Sequence, residues 1–333
     1  MSKFKEIGDT VIGNVEKIVI GKRPQIVTVL AAILGRGHVL LEDVPGVAKT
    51  MLARSLAVSF GCSFKRVQCT PDLLPTDVTG VSVFNQKKSE FEFMPGPIFT
   101  NILLADEINR ATPRTQSALL EAMAEKQVTV DGRTRALSRP FVVLATQNPV
   151  EQEGTFPLPE AQLDRFLIRV SLGYPDFSQE SDMLDRLRGG HPIDSLKPVI
   201  NAETVVKMQQ YIEKIFVHDE VKNYLLRIVR TTRESFKLGL GGSPRASIAM
   251  YHTAQAMAAL NGRNYVIPDD IKNLASPVLA HRVILKPEYR LRKETPQTVI
   301  EDILSNIEVP SNISSYQPPV RPSEEIAEGE SPG

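Results

Sequence analysis

The chain has 333 residues, enough for two ordinary domains, and 42% of them are hydrophobic, so each domain can bury a core. Lys plus Arg and Asp plus Glu both number 39, and this balance gives no general attraction to nucleic acid or an anionic membrane. No apolar run approaches ~20 residues and the first residues do not resemble a signal peptide, so no membrane span is expected. Cys62 and Cys69 are expected as free thiols, which indicates a cytoplasmic protein.

The first half of the chain alternates helices with buried strands. Apolar residues recur at helical spacing over residues 1–36, with a break at Gly21. Five apolar runs then predict strands at 38–42, 64–69, 101–106, 141–146 and 166–171. Helical patterns at 49–59 and 113–125 separate several of these strands, so we predict an α/β fold with a five-stranded parallel sheet and helices on both faces. Two hairpins, at 80–94 and 126–141, are predicted as insertions into this core.

The second half of the chain has a helical pattern from residue 179 onward. Helices are predicted at 182–188, 204–216, 220–234, 244–260 and 269–283. These features predict an α/β domain over residues 1–175 and an all-α domain over 176–310. Residues 311–333 are rich in Pro, Glu and Ser, and we expect a disordered tail there.

Residues 37–50 have the layout of a phosphate-binding loop: a buried strand, a tight turn with Pro-Gly at 45–46, and a helix from Lys49. In such a loop the backbone N–H groups and the helix N-terminus face the phosphates. Lys49 would then reach the outer phosphates and Thr50 would offer a hydroxyl to Mg²⁺. A plain strand–turn–helix with a solvated lysine is the alternative interpretation.

The loop departs from the usual pattern of Gly, four residues and Gly-Lys-Ser/Thr. Asp43 and Ala48 stand where the two glycines are usual. The Ala48 methyl group would crowd the phosphates unless its backbone φ is negative and helical. Weaker nucleotide affinity is therefore the largest effect expected of Ala48.

Two adjacent carboxylates end the predicted strand at 101–106. A strand of Ile and Leu has no structural need for Asp106 and Glu107 at its carboxyl end, and open parallel sheets bind ligands at that edge. Asp106 is expected to hold Mg²⁺ through water, and Glu107 to orient or deprotonate an attacking water. A solvated strand end is the alternative.

Three further polar residues follow in an order that suits phosphoryl transfer. Asn148 ends the strand at 141–146 and could hydrogen-bond the attacking water or the terminal phosphate, although Asn before Pro is also common in turns. Arg165 could act on a neighbouring subunit's nucleotide, or form an ordinary surface pair with Asp164. Arg245 lies at a helix N-terminus, where a cation is unfavourable unless an anion such as a γ-phosphate is near; a solvated arginine is the alternative.

In this order, these pieces resemble the AAA+ ATPases, and more narrowly their MoxR branch, over residues ~5–310. The resemblance rests on Leu-Glu-Asp-Val-Pro-Gly-Val-Ala-Lys-Thr (41–50), Gln-Cys-Thr-Pro-Asp-Leu-Leu-Pro (68–75), Gly-Pro-Ile-Phe (96–99), Asp-Glu-Ile-Asn-Arg-Ala (106–111), Gln-Ser-Ala-Leu-Leu-Glu-Ala-Met (116–123), Ala-Thr-Gln-Asn-Pro (145–149) and Leu-Pro-Glu-Ala-Gln-Leu-Asp-Arg-Phe (158–166). Asp43 is itself usual in this branch.

The resemblance implies a role for each matching residue, with ATP and Mg²⁺ as cofactors. Lys49 and Thr50 match Walker A, Asp106 and Glu107 match Walker B, Asn148 matches sensor 1, Arg165 the arginine finger and Arg245 sensor 2. The nucleotide would be lined by Val19, Ile20 and Gly21 near the adenine, and by Val44, Pro45, Gly46, Val47, Ala48, Lys49, Thr50 and Met51 around the phosphates. Thr50 and Asp106 would be the metal-binding residues.

The resemblance also implies partners and a function. Members form rings, typically homohexamers, and act as chaperone-like remodelling motors in the maturation of protein complexes, including metal-cofactor insertion. They often work with a partner that carries a von Willebrand factor A domain.

Two alternatives stay open. The first is a helicase-like motor on DNA. The basic hairpin at 126–139 favours this alternative, because it could follow a nucleic-acid backbone, whereas the zero net charge argues against it. The second is a nucleotide-gated scaffold with negligible turnover, which Ala48 motivates.

Overall fold

The computed structural model describes residues 2–149, 154–187 and 192–311. Its helices are α1 (Ser2–Glu16), α2 (Arg23–Leu34), α3 (Lys49–Ser59), α4 (Pro75–Thr79), α5 (Pro113–Glu125), α6 (Glu160–Leu163), α7 (Phe177–Leu187), α8 (Ala202–Ile212), α9 (Asp219–Glu234), α10 (Pro244–Leu260), α11 (Pro268–Leu279), α12 (Pro287–Leu291) and α13 (Pro296–Asn306). Its strands are β1 (Val39–Glu42), β2 (Phe64–Gln68), β3 (Gly80–Asn85), β4 (Glu90–Pro95), β5 (Ile102–Asp106), β6 (Gln127–Val130), β7 (Arg133–Ala136), β8 (Val142–Gln147), β9 (Ile168–Val170), β10 (Leu238–Leu240) and β11 (Ile284–Leu285).

The main sheet has five parallel strands in the order β2-β5-β8-β1-β9. All five strands were predicted, and the α/β class is confirmed. Because the strands are parallel, their carboxyl ends meet at one edge of the sheet and their amino ends at the other. We call these the carboxyl edge and the amino edge. β1 has four residues, so the two edges lie about 13 Å apart along that strand.

Apolar side chains cover both faces of the sheet. Alternate residues of a strand point to opposite faces, so Leu104 packs in the apolar cluster that includes α1, α2 and α3. Its neighbour Leu103 packs in a second cluster with α5. Burial on both faces explains why the strands read as continuous apolar runs rather than as alternating ones.

Both predicted hairpins are present and touch each other. β3 pairs with β4, and β6 pairs with β7, each pair being antiparallel. The Arg135 guanidinium of the second hairpin stacks on the Phe93 ring of the first, 3.9 Å from the ring centre. This contact braces one hairpin against the other.

The second half of the chain is helical from α7 to α13, which agrees with the predicted class, although α12 and α13 were not among the predicted helices. β10 and β11 form a small antiparallel sheet, so the prediction of a region without strands was wrong in this detail. The helix predicted at 244–260 has the expected bounds, and its Ser243 cap accepts a hydrogen bond from Arg245 N at 3.1 Å. Side chains of both halves share one apolar cluster. The predicted tail lies outside the described residues, apart from Ser311.

Within these described ranges, no helix is both long and apolar enough to cross a bilayer.

Candidate functional site

The phosphate loop connects β1 to α3 at the carboxyl edge, and α3 begins at Lys49 as predicted. Its tight turn depends on positive φ at two positions: Gly46 has φ +87° and Ala48 has φ +61° with ψ +19°. Ala48 is therefore left-handed, and the condition of a negative, helical φ, under which its methyl group would be harmless, is not met. An alanine in this conformation carries strain that glycine would not.

The Lys49 ammonium lies at the centre of the carboxyl edge. Its Nζ donates a hydrogen bond to the Asp43 carbonyl oxygen at 2.6 Å. Partial burial lowers the pKa of Lys49 below its usual 10.5, while the carboxylates of Asp43, Asp106 and Glu107 oppose this change. The lysine thus remains a cation close to three carboxylates, and it faces the acid pair as the predicted site requires.

Asp43 fastens the loop to the segment that follows β9. Its Oδ2 accepts hydrogen bonds from Ser171 Oγ (3.1 Å), Leu172 N (2.6 Å) and Gly173 N (2.8 Å), and its Oδ1 accepts one from Val44 N (3.1 Å). The carboxylate is buried and fully used by these donors. A glycine at this position could not make the connection, which gives Asp43 a structural reason to replace it.

Asp106 ends β5 and is held from both neighbouring strands. Its Oδ1 accepts a hydrogen bond from Thr146 Oγ1 of β8 at 2.6 Å. Its Oδ2 accepts two from Arg66 of β2, from Nε at 3.0 Å and from Nη2 at 2.6 Å. The Asp106 side chain is 13% exposed and that of Arg66 is 49% exposed. Asp106 therefore has an arginine counter-ion in this structure.

Glu107 follows Asp106 with φ +55° and ψ +51°, a left-handed conformation that is unusual for glutamate. Its backbone N–H donates to Thr146 Oγ1 at 2.8 Å, and its Oε2 accepts from Gln68 Nε2 at 2.9 Å. Arg110 Nη1 lies 3.5 Å from the same oxygen. These contacts hold the carboxylate on the carboxyl edge beside Asp106.

Asn148 and the segment predicted to lie near the adenine are also at the carboxyl edge. Asn148 directly follows β8 and is 9% exposed. Gly21, in the link between α1 and α2, is so close to α7 that a Cβ on it would lie 2.3 Å from the Gln179 side chain. Lys22 Nζ also donates to the Tyr174 carbonyl oxygen at 2.9 Å. The segment of Val19, Ile20 and Gly21 thus lies next to the start of α7.

The residues present suit a magnesium ion held jointly with phosphates. Across the described part of the chain, no group of three His, Cys, Asp or Glu side chains is placed to hold a metal by protein groups alone. Mg²⁺ is usually bound by one or two carboxylates together with substrate phosphates and water. The carboxylate of Asp106 and the hydroxyl of Thr50, in the first turn of α3, are donors of that kind.

The two predicted arginines lie at the amino edge, opposite the phosphate loop. Arg165 precedes β9, and its Nη1 donates to the Leu120 carbonyl oxygen of α5 at 2.7 Å. Arg245 Nη1 lies 3.9 Å from Asp164 Oδ2. Both arginines line a cavity of about 260 Å³, together with Arg36, Lys126 and Arg282. The structure therefore brings Arg165 and Arg245 together, and it does not bring them to the phosphate loop of their own chain.

Asp164 is not the surface partner of Arg165 that the alternative interpretation requires. Its Oδ1 accepts from Arg282 Nε at 2.9 Å, and its Oδ2 accepts from Ser243 Oγ at 2.8 Å. Arg282 is buried and also donates to the carbonyl oxygens of Phe166 and Leu167. This group fastens the helical region to the start of β9.

Comparisons with known proteins agree with this geometry. Residues 38–168 match the model of the ATPase family associated with various cellular activities (AAA), and residues 230–303 match the AAA lid domain.

The chain is 53% identical to the uncharacterized protein YeaC of Bacillus subtilis, over 92% of this chain and 96% of YeaC. It is 40% identical to Chaperone MoxR1 of Mycobacterium tuberculosis, over 90% of this chain and 81% of MoxR1. This chain belongs to the MoxR-type AAA+ ATPases. A crystal structure of a proposed ATPase from Cytophaga hutchinsonii has the same fold, with a TM-score of 0.87 at 40% identity, over 93% of this chain and 96% of that one.

The sequence did not indicate Arg66 or Thr146 as residues of this MoxR-type site, and it indicated Asp43 without its contacts. Arg66 and Thr146 contact the acid pair from the neighbouring strands, and Asp43 fastens the phosphate loop to the end of β9. Thr146 and Arg66 lie inside predicted strands, where nothing in the local pattern shows which neighbour they face. The strand order β2-β5-β8 would have been needed to find them.

Proposed function

We propose that the chain binds ATP with Mg²⁺ and hydrolyses it to ADP and phosphate. The observation that carries this proposal is the convergence of the phosphate loop, Lys49, Asp106 and Glu107 on one edge of a parallel sheet. Ligands of open α/β sheets bind at this edge. The N-terminus of α3 and the loop N–H groups would hold the phosphates, with the adenine near Val19, Ile20 and Gly21.

Each polar group has a role in this reaction that its position supports. Lys49 would leave the Asp43 carbonyl oxygen and contact the outer phosphates. Glu107 would accept a proton from the attacking water, and Asn148 would orient that water or the terminal phosphate. Mg²⁺, held by Thr50 and Asp106, would neutralise charge on the phosphate oxygens.

Two copies of the chain would complete one site. Arg165 and Arg245 lie at the amino edge of their own chain, whereas its phosphate loop lies at the opposite, carboxyl edge. A ring in which the amino edge of one copy faces the carboxyl edge of the next would bring them to a nucleotide. An arginine supplied in this way stabilises charge on the transferred phosphoryl group. A closed ring satisfies such head-to-tail contacts, and the family resemblance favours a hexamer.

The work done with this energy is proposed to be chaperone-like remodelling of protein complexes. The printed name of the Mycobacterium tuberculosis relative, Chaperone MoxR1, supports this role. Assembly of metal-containing enzymes and a partner with a von Willebrand factor A domain follow from the family resemblance alone. A cytoplasmic location is supported by Cys62 and Cys69, which are free thiols.

No described contact of the second hairpin specifically favours the alternative of a motor that acts on DNA. Of the four basic residues in the second hairpin region, Arg135 stacks on Phe93 and Lys126 lines the cavity at the amino edge. Only Arg133 and Arg139 are left to form a basic surface on this hairpin.

Two variants test the proposed activity. Lys49→Ala should weaken binding of a fluorescent ATP analogue by tenfold or more, since a charged hydrogen bond to phosphate contributes about 1.5–3 kcal/mol. Lys207→Ala, which removes an exposed lysine on α8, is the matched control and should bind as wild type does. Wild-type affinity in Lys49→Ala would contradict the assigned loop.

Glu107→Gln should retain analogue binding and lower the rate of phosphate release by about 10²–10⁴-fold, the usual effect of removing a general base. Steady-state phosphate release at high protein concentration is the measurement. Equal and negligible release by wild type and Glu107→Gln would favour the nucleotide-gated scaffold.

A further inference from the structure

Arg66 pairs with Asp106, one of the two carboxylates of the proposed nucleotide site. Its Nε and Nη2 both donate to Asp106 Oδ2, at 3.0 and 2.6 Å. Asp106 and Glu107 are adjacent carboxylates, and two such groups repel each other unless a cation lies close. Lys49 is bonded to the Asp43 carbonyl oxygen, and Arg110 lies 3.5 Å from Glu107. Among the cations of the described residues, it is therefore the guanidinium of Arg66 that contacts Asp106 directly.

Arg66 and a magnesium ion would compete for the same carboxylate. Asp106 is the carboxylate that the proposed function assigns to Mg²⁺. The Arg66 guanidinium, 2.6 Å from Oδ2, occupies the space beside this carboxylate that Mg²⁺ or a metal-bound water would need. Like charges in a partly buried site repel strongly. The neutral hydroxyl of Thr146, which donates to Oδ1 at 2.6 Å, raises no such conflict and can stay.

Arg66 is also the partner that can move. Its side chain is 49% exposed, so water can solvate the guanidinium once it leaves Asp106. Its Nη2 also donates to Gln68 Oε1 at 2.8 Å, a second acceptor on the same face of β2. Thr146 is buried and has no comparable path to solvent.

We propose that Arg66 is a positioning residue that occupies Asp106 in place of the metal and must be displaced when Mg²⁺ enters with the nucleotide. Arg66 thereby sets how strongly Mg²⁺ promotes nucleotide binding. This proposal rests on the proposed function, because it takes the carboxyl edge as a site for ATP and Mg²⁺. A permanent orienting role for Arg66 predicts the opposite effect of its removal, which makes the two distinguishable.

The test measures the factor by which saturating Mg²⁺ tightens binding of a fluorescent, non-hydrolysable ATP analogue, relative to binding in EDTA. Arg66→Gln should increase this factor by roughly three- to tenfold, since Mg²⁺ no longer has to displace a charged hydrogen-bond partner. Arg66→Lys keeps the charge without the two-donor contact and should give a smaller increase, and it carries the test if Arg66→Gln does not fold. Lys65→Gln removes an exposed charge from the other face of β2 and should match wild type.

An unchanged or smaller factor in the Arg66 variants would overturn the proposal, and a smaller one would show that Arg66 orients Asp106 for the metal. A failure of the proposed function would look different: the wild-type chain would not bind the analogue with or without Mg²⁺, and the inference would then fall together with the site itself.

Discussion

Ala48 holds a backbone conformation that L-residues rarely adopt, inside the loop that we propose binds the phosphates. The left-handed conformation costs an alanine about 1–2 kcal/mol, and glycine avoids this cost although it loses more chain entropy on folding. Lys49 and Thr50, which are proposed to contact the phosphates and Mg²⁺, follow this strained residue directly. The loop therefore keeps the side chains proposed to bind phosphate and Mg²⁺, and a single substitution at Ala48 should remove its backbone strain.

Ala48→Gly should raise the free energy of unfolding of the nucleotide-free protein by about 0.5–1 kcal/mol, because it removes this strain. Urea denaturation is the measurement. Gly46→Ala is the matched control: a Cβ there meets no atom within 4 Å, yet φ is +87°. It should therefore lower stability by about 1 kcal/mol through backbone strain alone. A clear loss of stability in Ala48→Gly would show that the left-handed position is not strained.

At the level of elements, the buried side chain of His38 connects the start of β1 to β8 and α5. His38 lies just before β1; its Nδ1 accepts from Val143 N of β8 at 2.9 Å, and its Nε2 lies 3.1 Å from the Met123 carbonyl oxygen of α5. Since Nδ1 accepts, the proton of the neutral ring is on Nε2, which donates to Met123. Protonation of Nδ1 would break the bond to β8. Burial accordingly lowers the pKa of His38 to about 4.

Because His38 has the usual pKa of 6.5 in the unfolded chain and about 4 in the folded one, the unfolded chain binds more protons in this range. Stability should therefore fall as pH decreases from 6.5 toward 4.

His38→Gln removes the contribution of His38 to this pH dependence. Between pH 7 and pH 5 the wild type should therefore lose about 2 kcal/mol more of its free energy of unfolding than the variant. Urea denaturation at the two pH values is the measurement. Burial also lowers the pKa of His281, so the variant keeps part of the dependence. Equal losses in the two proteins would contradict the role of His38.

Elements with a strong local signal were predicted from the sequence, and those that depend on distant partners were not. α3, α5 and α10 have the predicted bounds, because caps and apolar periodicity mark them locally. β10 and β11 were missed because strands of three and two residues form only through pairing with each other. The same reason applies to side chains: Lys49 and Glu107 follow from local motifs, whereas Arg66 reaches Asp106 only because β2 pairs with β5.

At the scale of the whole molecule, the sheet separates two sets of charges. The carboxyl edge carries the phosphate loop, Lys49 and the acid pair, while the amino edge carries Arg165 and Arg245 around a cavity of about 260 Å³. The sequence predicted both sets but not their separation, because the edge on which Arg245 lies depends on how the helical region packs against the sheet. If both sets act on one nucleotide, as we propose, one chain cannot complete its own site.

The most direct test of this account is ATPase activity in rings assembled from two inactive variants. Arg165→Ala lacks the proposed arginine, and Glu107→Gln lacks the proposed base. Each should be nearly inactive alone while it still binds nucleotide. In rings formed from an equal mixture, about a quarter of the interfaces would pair an intact carboxyl edge with an intact amino edge. The account predicts that the mixture recovers phosphate release well above either variant alone. A mixture that stays at the mean of the two separate variants would show that Arg165 does not act between copies.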